Sequence, residues 1–392
     1  MLDARLWKPL PPPDVAGTTG TTGAASPDAG VARVQCRLCS HYCVIPAGGS
    51  GRCGVRVNRP DMSGPDVSGP DVPGPDTPGP DAPPGTAPVG RLFTLVGDNV
   101  AAVNLDPVEK KPLFHFMPGT LTYSFGTMGC NLSCGFCQNW SLSRPPAEEG
   151  IVRGQRTTPA RLVAEARASG AASVSFTYSE PTIFFELMSD TADTARAAGL
   201  ATIMVSNGFQ SPECLAELEH RIDAANIDLK AFTERFYAEQ CGARLKPVLH
   251  TLRTIARMGW WLEVTTLLIP GLNDDPAEVR DMARFIRDEL GPGVPWHLSR
   301  FHPAYRLTDR PPTPPATLER AWEIGREEGL HFVYLGNMPG NVPGHPAEST
   351  HCPACGALFA RREGFHTHLP ASPRCARCGA AVPGVGWDTP EN

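Results

Sequence analysis

Cys130, Cys134 and Cys137 are separated by three and then two residues, C-x3-C-x2-C, on a stretch that follows the short apolar run Tyr123-Ser124-Phe125. Thiolates at that spacing on a tight loop can converge on one soft metal centre, and iron–sulfur clusters take cysteine thiolates. Three thiolates instead of four leave one iron of a 4Fe–4S cubane open to a ligand that is not protein. A buried cysteine cluster, or a three-cysteine zinc site completed by a distant histidine, would use the same residues without redox chemistry.

The chain has 13 cysteines, and eight of the other ten form two further groups of four. Cys36, Cys39, Cys43 and Cys53 read C-x2-C-x3-C-x9-C, so that one metal could staple a small module poor in apolar residues. Zinc and a second iron–sulfur cluster both suit this set, and free thiols in a loop are the plain alternative. Cys352, Cys355, Cys375 and Cys378 form two C-x2-C knuckles with nineteen residues between them, a zinc-ribbon-like pattern. Structural zinc is the first expectation there and an auxiliary redox site the second. Cys214 and Cys241 stand alone and read as core or surface residues.

The 392 residues carry a net charge of −6, which gives no basic footprint for nucleic acid. Arg361, Arg362, Arg374 and Arg377 in the tail are too few to change that. No apolar run approaches the ~18 residues that span a bilayer, and Met1 to Pro13 has no signal-peptide core. The expectation is a cytoplasmic protein without a membrane partner, where clustered cysteines more often mean metal than disulfide.

Residues 1–30 read as a disordered lead-in, since from residue 11 they are Pro, Gly, Thr, Ala and Asp without apolar periodicity. An N-terminal Cys-rich module follows over 31–118, interrupted over 61–88 by a low-complexity Gly-Pro-Asp repeat with no apolar face to stack. Lys110 and Lys111 read as solvated charges and His115 as a packed histidine. From residue 119 to 340, short apolar strands alternate with helix-period segments, the mark of parallel α/β architecture. Strands are expected at 122–127, 173–179, 201–206, 225–230, 261–269, 296–301 and 331–336, with helices at 159–169, 181–198, 244–258, 276–290 and 315–328. Ser211-Pro212 and Asp275-Pro276-Ala277-Glu278 mark helix starts, the second as a capping box. The fold class is α/β, a partial (β/α) barrel related to the TIM barrel, with active groups at the C-terminal strand ends. A zinc-ribbon-like module occupies 345–386.

The cysteine triplet with Phe136 just before its last member resembles the signature of the radical S-adenosylmethionine (radical SAM) enzymes. The resemblance implies a 4Fe–4S cluster on Cys130, Cys134 and Cys137, with SAM on the open iron and Phe136 beside the adenine. It also implies reductive cleavage of SAM to a 5′-deoxyadenosyl radical. Ser179-Glu180 stands where many such enzymes have Gly-Gly-Glu. Asn207-Gly208, Asp228-Leu229-Lys230 and His297 match strand ends of glycyl-radical-enzyme activases. Ser179, Glu180, Asn207, Asp228, Lys230, Thr265 and His297 are thereby expected around SAM, with Leu267 in the same pocket and Arg300 and His302 toward substrate. Val205 replaces the Asp that binds a cation in some activases. The region 122–302 resembles the pyruvate formate-lyase activating-enzyme branch. Adding Cys36–Cys53, Asp106–Phe116 and Gly336-Asn337-Met338-Pro339-Gly340, the chain resembles the radical SAM protein of the AmmeMemoRadiSam system. That resemblance implies a flavodoxin or ferredoxin as electron donor, a protein or small-molecule substrate, and the other proteins of that system as partners. The rival reading is a non-catalytic, zinc-stapled binding module contacting protein or nucleic acid.

Overall fold

The computed structural model describes residues 1–11, 32–60, 90–338 and 347–387. The expected lead-in from residue 12, the repeat at 61–88 and the Pro339-Gly340 pair lie outside the described residues. Residues 1–11 correct the expectation for the start of the chain: Leu2–Asp3 and Trp7–Leu10 are strands, paired with Gly90–Thr94 and Arg33–Cys36.

One eight-stranded sheet organises the chain. Its strands are β1 (Ala102–Pro107), β2 (Leu121–Gly126), β3 (Ser173–Phe176), β4 (Ala201–Ser206), β5 (Ala224–Asp228), β6 (Trp261–Leu268), β7 (Trp296–Arg300) and β8 (Val333–Gly336). Their order across the sheet follows the chain; β1 is antiparallel to β2 and every later neighbour is parallel. Among the described residues β1 and β8 do not pair with each other, so the sheet is open and no closed barrel forms. Seven expected strands are present, with β3 stopping early because Tyr178 takes a left-handed backbone, φ 68°.

Parallel neighbours need crossovers, and helices supply them: Pro159–Ala168, Phe185–Ala197, Pro212–Leu218, Leu245–Met258, Pro276–Phe285 and Pro315–Glu327. Leu245–Met258 shows why they form, since Leu245, Val248, Leu252 and Ile255 fall on one buried stripe. Thr158, Ser211 and Asp275 cap three of these helices by accepting backbone N–H bonds, each followed by a proline. Glu278 does not complete the expected capping box; its carboxylate accepts the Phe232 N–H at 2.7 Å instead. The segment expected as one helix over 181–198 begins as a 3-10 turn, Pro181–Phe184, and that over 276–290 ends in a π turn, Ile286–Leu290.

Side chains alternate across the strands, so the helices cover one face and the other needs its own filling. The link between β1 and β2 provides it. Leu113 and Phe116 pack on Ile203 and Ala224, and the Pro112 carbonyl accepts a bond from Asn226 Nδ2 at 2.8 Å. Lys111 is therefore not solvated as expected: its Nζ lies buried 2.6 Å from Asp106 Oδ2 and 4.7 Å from the centre of the Tyr178 ring. His115 is packed, as expected, with Tyr334 OH at 2.6 Å and the Pro383 carbonyl at 2.7 Å from its two ring nitrogens.

Two small antiparallel sheets build the N-terminal module, one from Trp7–Leu10, Arg33–Cys36 and Val44–Pro46, the other from Leu2–Asp3, Gly90–Thr94 and Arg56–Pro60. The tail contributes a third, from Thr350–His351, Leu358–Glu363 and His366–His368. It is docked on the link that fills the sheet: Thr367 donates to Glu109 at 2.6 Å, Arg362 to the Phe114 carbonyl at 2.6 Å, and Val385 to the His115 carbonyl at 2.8 Å.

Candidate active site at the strand ends

The loop after β2 carries Cys130, Cys134 and Cys137, and all three line a cavity of about 280 Å³ at the C-terminal ends of the strands. This is close to the ~300 Å³ lower bound of ordinary ligand pockets. Backbone bonds from several directions fix the loop. Ser133 N–H donates to the Cys241 carbonyl at 2.9 Å and Gly135 N–H to the Gln240 carbonyl at 3.0 Å, both from a π turn at Tyr237–Cys241. Arg306 and Leu307 N–H both donate to the Gly135 carbonyl at 3.0 Å, and Arg144 reaches the Leu132 carbonyl at 2.8 Å. Burial pushes the Cys130 and Cys137 thiols up in pKa, whereas a hydrogen bond with Cys241, helped by the charge of Lys230, holds Cys134 down.

Seven of the eight residues expected around SAM line the same cavity: Phe136, Ser179, Glu180, Asn207, Asp228, Lys230 and Thr265. Asp228, the last residue of β5, and Lys230, two residues beyond the strand's end, pair at 2.7 Å. Burial by itself would lower the Lys230 pKa, but Asp228, Cys134 and Cys241 raise it well above its ordinary value, so the ammonium stays charged. Asn207 Nδ2 donates to Asn131 Oδ1 at 2.7 Å and lies 3.7 Å from Cys130 Sγ, while its Oδ1 accepts the Phe209 N–H at 3.0 Å. The turn needs Gly208, whose φ is 73° and whose added Cβ would stand 2.9 Å from Ile227.

Glu180 lines the cavity yet spends both carboxylate oxygens on the chain. Oε1 accepts from Thr182 N–H at 3.0 Å, Thr182 Oγ1 at 2.5 Å and Ser206 Oγ at 2.7 Å, and Oε2 accepts from Asn207 N–H at 2.9 Å. Burial pushes its pKa up against these bonds. Those contacts are those of a helix-capping, loop-positioning carboxylate. His297 departs from expectation altogether: it is absent from the cavity lining and lies 2.6 Å from Glu263 Oε2. Glu263 also accepts the Phe114 and His115 N–H groups, which places His297 against the link between β1 and β2. Leu267 lines the cavity as expected; Arg300 and His302 do not.

Among the lining residues that sequence reasoning missed are Tyr178, Asn139, Ser299 and Asn337. Asn139 Nδ2 donates to the Tyr178 carbonyl at 2.7 Å, tying the cysteine loop to the turn after β3. Tyr178 and Asn337 hold left-handed backbones, φ 68° and 60°, a strain that clusters at functional sites but has no sequence signature. Ser299 and Asn337 could have been found from the strand-end rule alone. Val205 also lines the cavity and offers no ligand for a cation.

In the tail, the sulfurs of Cys352, Cys355, Cys375 and Cys378 all lie within 4.8 Å of one another, the one such group of three or more metal-ligating side chains among the described residues. No helix among the described residues is long and apolar enough to cross a membrane.

Residues 125–286, which hold the cysteine loop and β3 to β6, match the family model of the Radical SAM superfamily. The chain belongs to the radical SAM superfamily. It is 38% identical over 354 residues to the uncharacterized protein MJ0808 of Methanocaldococcus jannaschii, covering 89% of this chain and 95% of that one, and the two belong to one family. Solved structures are less similar. A domain of pyruvate-formate lyase-activating enzyme from Bacteroides vulgatus is 18% identical, with 43% of this chain and 100% of that one covered at a TM-score of 0.38. SuiB of Streptococcus suis bound to S-adenosylmethionine is 16% identical, with 58% and 52% covered at a TM-score of 0.45. At those scores the likenesses carry no argument about substrate. Radical SAM membership implies an enzyme with a 4Fe–4S cluster and SAM. The residues fit both groups. Three thiols face the cavity, the charged Lys230 stands beside them, and the buried Ser179 hydroxyl in the lining has no hydrogen-bond partner within the chain.

Proposed function

We propose that this radical SAM enzyme cleaves SAM reductively in the cavity at the strand ends and uses the radical to abstract hydrogen from a protein or small-molecule substrate. The convergence of Cys130, Cys134 and Cys137 with Ser179, Asn207, Asp228 and Lys230 on one cavity carries the reading. Bound there, the 4Fe–4S cluster and SAM supply methionine and a 5′-deoxyadenosyl radical from one electron. The chain's own part is binding and order. Lys230 and Asp228 offer an ammonium and a carboxylate to the amino-acid end or ribose of the ligand, and Ser179 Oγ offers a free hydroxyl. Asn207, oriented by Glu180, points its amide toward Cys130 Sγ and favours the thiolate. Phe136, its ring centre 5.8 Å from that of Phe236, offers a fixed aromatic wall that would suit the adenine of SAM.

Installing a glycyl radical on a partner protein is one abstraction this chemistry would serve, beside modification of another peptide or of a small molecule, with the other AmmeMemoRadiSam proteins as partners and a flavodoxin or ferredoxin as donor in the cytoplasm. Zinc suits the tail, where paired sulfurs stand 3.6 and 3.7 Å apart, near the ~3.8 Å edge of a tetrahedron with 2.3 Å Zn–S bonds. The binding-module reading applies to that tail alone. Anaerobic reconstitution followed by EPR with and without SAM tests the function. A reduced-cluster signal that SAM alters, with 5′-deoxyadenosine formed, is expected; a SAM-insensitive signal with no cleavage would refute it.

A further inference from the structure

The four cysteines of the N-terminal module converge. Cys36 N–H donates to the Cys43 carbonyl at 2.9 Å, and Tyr42 N–H to the Cys39 carbonyl at 3.0 Å, which brings three thiols to one end of the hairpin. The turn Gly51–Gly54 carries Cys53, and a Cβ on Gly51 would stand 3.8 Å from Cys43 Sγ. Cys36 and Cys53 are buried. Arg56, two residues after Gly54, is 1% exposed and gives only Nη2 to the chain, to the Arg5 carbonyl and to Glu186 at 3.0 Å. Its Nε and Nη1 have no partner. Gly51 N–H donates to the Arg56 carbonyl at 2.8 Å, so Arg56 stands at the base of the turn that carries Cys53. Buried unpaired guanidinium N–H groups are costly, which favours an anionic group beside this turn.

The molecule holds its own yardstick for the metal. The tail cysteines lie within 4.8 Å of one another, as a single zinc ion requires. Neither the Cys130 triplet nor the N-terminal four, all among the described residues, forms so tight a group. Thiolates on a cubane stand further apart because irons and sulfides lie between them.

The N-terminal four also sit against the first cluster's loop. His41, between Cys39 and Cys43, contacts the Asn131 carbonyl at 2.8 Å. The Cys53 carbonyl lies 3.3 Å from where a Cβ on Gly129 would stand. Gly129 and Asn131 flank Cys130.

We infer that Cys36, Cys39, Cys43 and Cys53 hold a second 4Fe–4S cluster, fully cysteine-ligated, that passes single electrons to the cluster on Cys130, Cys134 and Cys137. The inference rests on the proposed function for its second half. A low-potential iron–sulfur or flavin protein gives up one electron, the second cluster takes it and returns to its oxidised state on reducing the first. With no open iron, the second cluster does not bind SAM.

The test is iron, sulfide and zinc analysis with EPR on the anaerobically prepared full chain, on Cys130→Ser/Cys134→Ser/Cys137→Ser, and on Cys36→Ser/Cys39→Ser. About eight irons and one zinc are expected in the parent, four irons per cubane. The triplet variant should keep half the iron with a signal indifferent to SAM, which needs no change in the N-terminal module and so is immune to its misfolding. The Cys36/Cys39 variant should keep half the iron with a signal that SAM alters, and its SAM cleavage should fall at least tenfold with reduced flavodoxin but not with dithionite. Four irons and two zincs in the parent, or iron removed entirely by the triplet substitutions, would overturn the second cluster. Equal loss with both reductants would overturn the relay. A failure of the triplet reading looks different: half the iron, lost only on changing Cys36 and Cys39.

Discussion

At the scale of single residues, Glu180 separates two roles that the sequence alone leaves together. A carboxylate at a strand end beside a cofactor motif reads as a ligand, yet its oxygens are consumed by Thr182, Ser206 and Asn207. Glu180→Ala strands those buried donors, so a loss of about 3 kcal/mol in urea denaturation is expected. An unchanged midpoint would return Glu180 to the ligand set. Cys134→Ala should abolish 5′-deoxyadenosine formation while the far-UV circular dichroism stays that of the parent; retained cleavage would sink the cluster assignment. The cysteines, Asp228 and Lys230 were legible because their spacing alone puts them on one loop or one strand face. The pairing of His297 was not legible, because its partner Glu263 is held by the chain at Phe114 and His115. No spacing rule encodes that contact.

At the scale of elements, apolar alternation gave the seven parallel strands, since each must feed a helix crossover. What escaped was the link between β1 and β2, whose charged Lys110-Lys111 pair looks like surface until Asp106 and Tyr178 close over Lys111. The same link makes the sheet's filling sensitive to acid through His115. Burial holds this imidazole down to about 4, against 6.5 in the unfolded chain. Between those values the unfolded chain binds the proton and the folded one does not. The stability is therefore full above pH 6.5 and lost as the pH falls toward 4, by about 3 kcal/mol. His115→Asn should flatten the pH dependence of the urea midpoint across that window by about one proton; an identical slope would show that the ring is not the group responsible. The N-terminal module meets the rest of the chain at Gly54, with φ 74° and a would-be Cβ 2.3 Å from the Pro146 backbone. Gly54→Ala should loosen that module while leaving the parallel sheet folded, read as faster amide hydrogen exchange confined to residues 32–60.

At the scale of the whole molecule, cysteine arithmetic marked out three separate cysteine groups before any contact was known, but not that the tail closes the sheet's filling through Glu109 and Phe114. The strands at Leu2–Asp3 and Trp7–Leu10 were hidden for a similar reason: two and four residues are too few to show a period, and their partners lie beyond low-complexity stretches. The register of these hairpins has a consequence for how the gene can change. Leu10 is paired with Arg33 and Pro60 with Gly90, so the chain leaves the fold and rejoins it across a single strand spacing on both occasions. The strand pairs on either side of 12–31 and 61–89 close without reference to how many residues lie between them, so the core's geometry sets no length for those insertions. Replacing 62–88 by Asn-Gly should leave SAM cleavage unchanged and raise stability by about 2 kcal/mol through loop closure alone. A lower melting temperature would show that the repeat has been recruited to hold something. Otherwise these are places where length can drift, or a new module be added, without the cavity at the strand ends feeling it.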